Sequence, residues 1–164
     1  KCQSALDPFP IQPIDLMFSN ASFQWIRPFE QLIMQLKSFM QPTTTLAFSF
    51  FLPDTYHELA LGLKSCIDPC LKIPAESFLT TEEIAGLCQH HQLNLTIKQE
   101  RISYTFNSVH HLLTTIKKTG TNTHQPIGIW TPQKLKRLEK WFIDTYGNIR
   151  CTYHFLTAIN LVKK

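Results

Sequence analysis

Apolar residues along this chain fall into two rhythms. In Asp15-Leu16-Met17-Phe18 and in Thr45-Leu46-Ala47-Phe48-Ser49-Phe50-Phe51-Leu52 they run almost without a break. Between those runs, Phe29, Leu32, Ile33, Leu36, Phe39 and Met40 recur every three or four positions. A short continuous run predicts a strand buried on both faces, and the longer interval predicts a helix with one apolar stripe. The pattern therefore predicts strands over 14–19 and 45–52 around a helix over 28–40. Pro28 suits the first turn of that helix, and Pro42 requires it to stop. Strand, helix and strand at this spacing fit a right-handed crossover between parallel strands.

Beyond Pro53 the rhythm loosens, with a short helix predicted from Tyr56 to Leu63 and an irregular connection over 64–79. Thr80 and Glu83 stand at capping-box spacing ahead of Ile84, Leu87 and Cys88, which predicts a helix start. Alternation in Leu93, Leu95, Ile97, Ile102, Tyr104 and Phe106 predicts a strand over 93–106, with a bulge or turn near Gln99-Glu100. Asn107 is the expected cap of a helix carrying Val109, Leu112, Leu113 and Ile116, which Gly120 ends. Thr131-Pro132 opens another helix, with Leu135, Leu138, Trp141, Phe142 and Tyr146 facing inward and Gly147 closing it. A last strand is predicted over 150–162, and all four strands are expected in one sheet.

Composition narrows the class. With 43% apolar and 17% charged residues the chain reads as globular. It has no apolar run long enough to span a membrane. The formal charge of +4 is spread out rather than massed, so no nucleic-acid partner is expected. Five cysteines without an apolar export segment point to reduced thiols and a cytoplasmic location. Cys66, Cys70, Cys88 and His91 fit no standard zinc spacing, and no metal ligand is assigned. The pairs His90-His91 and His110-His111 should diverge by about 100° on a helix, leaving one surface and one partly buried ring in each. Lys134, Lys136, Arg137 and Lys140 surround their helix and read as a solvated face.

The run from Asp15 to Trp25 resembles the fourth-strand segment of class I S-adenosylmethionine-dependent methyltransferases, with Pro8-Phe9-Pro10 as its approach. Further segments keep the same order: Leu46 to Thr55 with Glu58-Leu59, Phe78-Leu79 before Glu82-Glu83-Ile84, Lys117 to Asn122, Leu135 to Leu138, and Thr152-Tyr153-His154-Phe155. Together they resemble the malonyl-[acyl-carrier protein] O-methyltransferases of biotin synthesis, over roughly residues 8–164. The resemblance implies an α/β fold: the C-terminal part of a Rossmann-like methyltransferase sheet with a helical lid insertion. It divides one partial domain into a strand-helix-strand core (1–52), a lid (53–147, with one strand at 93–106) and a final strand (148–164).

It further implies methyl transfer from S-adenosylmethionine to the carboxylate of a malonyl thioester on acyl-carrier protein. A carboxylate is already ionised at neutral pH, so no general base is needed and no catalytic residue is assigned. Cofactor contacts are expected from Gln3, Ser4, Ser19 and Asn20, and substrate contacts from Asn20 and Trp25. Asn20 reads equally as an ordinary turn residue, and Trp25 as packing. The family's glycine-rich cofactor loop would lie before Lys1, and Met40-Gln41-Pro42-Thr43 replaces the usual Arg-Pro-Gly-Gly turn. The stretch is thus expected to be a fragment that binds cofactor weakly by itself and exposes an open sheet edge suited to self-association. Two other readings stay open: a non-catalytic interaction protein, and a same-fold methyltransferase for another small acid.

Overall fold

The computed structural model describes residues 14–118 and 130–160. The elements run β1 (Leu16–Ser19), a 3-10 turn (Phe23–Trp25), α1 (Phe29–Phe39), β2 (Thr45–Phe51), α2 (His57–Cys66), a second 3-10 turn (Pro74–Ser77) and α3 (Thr81–His90). They continue with β3 (Thr96–Phe106), α4 (Val109–Lys118), α5 (Pro132–Tyr146) and β4 (Ile149–Asn160). The four strands form one sheet in the order β1-β2-β4-β3. The described residues divide into two compact units, 14–52 with 79–100 and 155–160, and 53–78 with 101–118 and 130–154.

In the first unit β1 pairs in parallel with β2, Leu16 opposite Thr45 and Ser19 opposite Phe48. On its other side β2 runs antiparallel to β4, from Leu46 opposite Asn160 to Phe51 opposite Phe155. Leu32 and Ile33 of α1 and Leu46 of β2 are wholly buried. Phe29 of α1 packs edge-on against Phe48 and Phe50, with ring centres 6.5 and 5.4 Å away. The turn at Gln41 holds without glycine because Thr44 bridges it. The Thr44 hydroxyl accepts from Gln41 N at 2.8 Å and donates to Ile14 O at 2.6 Å, and Thr44 N donates to Gln41 O. One buried hydroxyl thus joins the end of α1 to the approach of β1.

The second unit is built on α5, which packs against α2 and α4. Leu138 and Phe142 form its fully buried stripe, while Leu135, Trp141 and Tyr146 are half-buried. Gly62 of α2 permits the close approach: a Cβ there would lie 2.6 Å from Leu138 Cδ1 and 2.8 Å from Trp141. Thr131 caps α5 by accepting from Lys134 N, and Gly147 closes it at φ +73°, as the sequence predicts.

Several local expectations need correction. Pro28 is the N-cap of α1, one step before the first turn. Ser108, not Asn107, caps α4, its hydroxyl accepting from His111 N at 3.0 Å. β3 is continuous through Gln99-Glu100 with no break. The expected burial of β1 on both faces is also overturned, because Leu16 and Phe18 are 61% and 72% exposed. As the outer strand of the described sheet, β1 has a neighbour on one side alone. Gly120 and the loop that follows it lie outside the described residues, as do residues 161 and 162 of the predicted last strand.

Candidate functional site

The carboxyl end of β1 is where the sequence places its cofactor and substrate contacts, and in parallel α/β sheets this edge is the usual ligand site. Gln3 and Ser4 lie outside the described residues. Ser19, the last residue of β1, is buried, and Asn20 is exposed just beyond it. Ala21 then takes a left-handed backbone, φ +48°, which turns the chain into the short helix of Phe23–Trp25. A side-chain-bearing residue in that conformation carries strain of about 1–3 kcal/mol, which the surroundings must offset.

Ser49 supplies the restraint. It sits on β2, and its hydroxyl donates to Asn20 Oδ1 at 2.6 Å while accepting from Ala21 N at 2.9 Å. Gln24 adds a second brace, its Nε2 donating to Ala21 O at 2.6 Å. The Ser22 hydroxyl donates to Asn20 O at 3.0 Å. Phe23 anchors the short helix on Phe48, ring centres 5.5 Å apart. Trp25, at the end of that turn, is 45% exposed.

The structure therefore brings Ser19, Asn20 and Trp25 to one strand tip and adds Ser49 and Gln24, which sequence reasoning missed. A signal for Ser49 existed: it is the one hydroxyl within the apolar run Leu46–Leu52. Nothing local distinguishes Gln24, a polar residue that is only 2% exposed. Among the described residues, Ser19 Oγ and Gln24 Oε1 are buried without a hydrogen-bond partner. Such atoms cost about 1–3 kcal/mol each unless something else pairs with them. Hydroxyls, amides and one indole can hold and orient a polar ligand. None of them exchanges a proton near neutral pH.

Titratable groups gather instead in the second unit. Arg101 Nη2 donates to Asp54 Oδ2 at 2.6 Å, and His154 Nδ1 lies 3.5 Å from the same oxygen. Thr55 donates its hydroxyl proton to His154 O and accepts from His154 N. Burial, reinforced by the Arg101 charge and opposed by Asp54, holds the His154 pKa below the usual histidine value. Nearby, Glu58 is 1% exposed and accepts from both Thr152 N at 2.9 Å and Thr152 Oγ1 at 2.6 Å. Arg150 Nε, 3.8 Å away, adds a positive charge beside that buried carboxylate. Burial pushes the Cys88 thiol up to about 11, which removes it as a ready thiolate ligand or nucleophile.

No family model matches the chain. Curated relatives do. It is 34% identical over 157 residues to malonyl-[acyl-carrier protein] O-methyltransferase 2 of Ilyobacter polytropus, covering 92% of this chain and 59% of that protein. It is 28% identical over 164 residues to the malonyl-[acyl-carrier protein] O-methyltransferase of Acetivibrio thermocellus, covering 90% and 58%. The chain thus spans about three-fifths of the length of these relatives. Among solved structures, a putative methyltransferase from an antibiotic biosynthesis pathway of Anabaena variabilis superposes with a TM-score of 0.59. That match is 12% identical and covers 94% of this chain and 70% of that one, so it speaks for the fold alone. Taken with the parallel β1-β2 pair and the antiparallel β4 beside it, these likenesses show that the chain carries part of a class I methyltransferase fold and is similar along most of its length to the malonyl-[acyl-carrier protein] O-methyltransferases.

Proposed function

We propose that the protein containing this chain transfers a methyl group from S-adenosylmethionine to the free carboxylate of a malonyl thioester on acyl-carrier protein, a step of biotin synthesis in the cytoplasm. The observation that carries the reading is the 34% identity to a malonyl-[acyl-carrier protein] O-methyltransferase across nearly the whole chain. S-adenosylmethionine supplies an electrophilic methyl on a sulfonium, and an ionised carboxylate attacks it without help from a base. What the protein must do is position the two reactants and keep water away. The strand tip is suited to such positioning, because Ser19 Oγ and Gln24 Oε1 are buried with hydrogen-bonding capacity in hand and Ser49 fixes Asn20. Ser19 and Asn20 are assigned to the cofactor and Asn20 and Trp25 to the substrate, while residues 53–147 are assigned the lid role.

The test is methyl transfer by the full gene product to malonyl-acyl-carrier protein, read as methyl ester by mass spectrometry. Asn20→Ala and Trp25→Ala are expected to lower kcat/KM with the unfolding midpoint held. Ester formed on other small acids and not on the malonyl thioester would favour the same-fold enzyme for another substrate. No transfer to any acid would favour the non-catalytic reading.

A further inference from the structure

Away from the strand tip, Glu30, His90 and His91 each turn one ligand-capable atom toward the others, all within 4.8 Å of one another. The grouping spans two helices. Glu30 lies in the first turn of α1, and the histidines close α3. Neighbouring residues inside a helix point about 100° apart, which is why the sequence predicts divergent rings. His90 is exposed and His91 partly buried, as expected, yet their rings stand only 5.0 Å apart.

Both histidines lie at the very end of α3, where the chain turns away. His91 is its C-cap with ψ +19°, outside the helical range, and Gln92 takes a left-handed φ of +57°. Gln92 N and Leu93 N fold back to Gln89 O and Cys88 O, at 2.9 and 2.8 Å. His91 N still donates to Leu87 O at 3.2 Å, and from this last helical position its side chain reaches α1, where its Nε2 lies 3.1 Å from Glu30 Oε1. Lys37, two turns further along α1, donates to Gln92 O at 3.2 Å and leaves the carboxylate of Glu30 to the histidines.

We infer that Glu30, His90 and His91 form a binding site for a borderline divalent transition-metal ion such as Zn²⁺, Ni²⁺ or Cu²⁺. Two imidazoles and one carboxylate are the donors such ions prefer over Mg²⁺ or Ca²⁺. Bonds of about 2.0–2.2 Å require the three donors to draw in from their present spacing. Glu30 has a flexible, half-exposed side chain and His90 is exposed, so both can move that far without disturbing the core. The remaining coordination positions face solvent and take water. Because the carbonyl end of α3 carries partial negative charge, a cation is favoured there. A bound ion would tie α1 to α3 and has no part in methyl transfer.

Titration of the protein with Zn²⁺ tests this, by calorimetry and by the thermal unfolding midpoint. One equivalent should bind and raise the midpoint, because an ion held by the folded state alone stabilises it. Even a residue that merely orients a ligand is worth about 10–100-fold in affinity, so H90A, H91A and E30Q should each weaken binding by at least about ten-fold. Co²⁺ in place of zinc should give a spectrum free of the sulfur-to-metal charge-transfer band. Absence of binding, unchanged affinity in any of the three variants, or a cobalt spectrum showing thiolate ligands would overturn the assignment.

Discussion

At the scale of single residues, the tightest constraints sit where a side chain has no room or no alternative partner. Gly62 is such a place, since any Cβ meets Leu138 and Trp141 well inside van der Waals contact. Overpacking of this kind costs about 1–3 kcal/mol, so Gly62→Ala should lower stability by that amount in urea unfolding. A neutral effect would mean that α2 and α5 can separate freely at that contact. His154 sets a pH dependence. Its folded pKa is depressed by burial, so the unfolded chain binds the proton more readily. Stability is then fully present above the ordinary histidine value of 6.5 and falls as pH drops through the folded pKa. Unfolding midpoints recorded between about pH 7.5 and about pH 5.5 should decline, and His154→Gln should flatten the decline. An identical slope in that variant would assign the effect to other groups.

At the scale of elements, helix ends are the most legible feature of the chain. Thr80 and Glu83 form the predicted capping box, with Thr80 Oγ1 accepting from Glu83 N and Glu83 Oε2 accepting from Thr80 N. Loss of such a cap costs about 1 kcal/mol, and Thr80→Ala should shift the unfolding midpoint accordingly while Thr80→Ser leaves it nearly unchanged. A larger loss would show that Thr80 does more than start α3. The cap of α4 lies one residue beyond its expected place because Asn107 and Ser108 both favour that position, and only the backbone path selects between them. β1 departs from expectation for a different reason. An apolar run signals that burial is wanted, but the exposure of Leu16 and Phe18 depends on which neighbours are present.

At the scale of the molecule, that exposed pair has a consequence for residues 1–164 as an isolated polypeptide. A strand with one unpaired edge and adjacent apolar side chains is a template for association. Sedimentation velocity should show self-association that grows with concentration, and Phe18→Lys should reduce it. A monomer at all concentrations would count against an open edge. The sequence by itself determined what depends on a few neighbouring residues: the alternation of strands and helices, the caps at Thr80 and Thr131, and the left-handed stop at Gly147. It also carried the methyltransferase likeness, because order and spacing survive in a linear string. Tertiary structure alone decided the pairings across long separations. Ser49 reaches Asn20 from 29 residues away, Glu30 reaches His91 from 61, and Glu58 meets Thr152 from 94. Each of these polar contacts depends on which strands and helices pack together, and local propensity says nothing of a partner that folding brings from far along the chain.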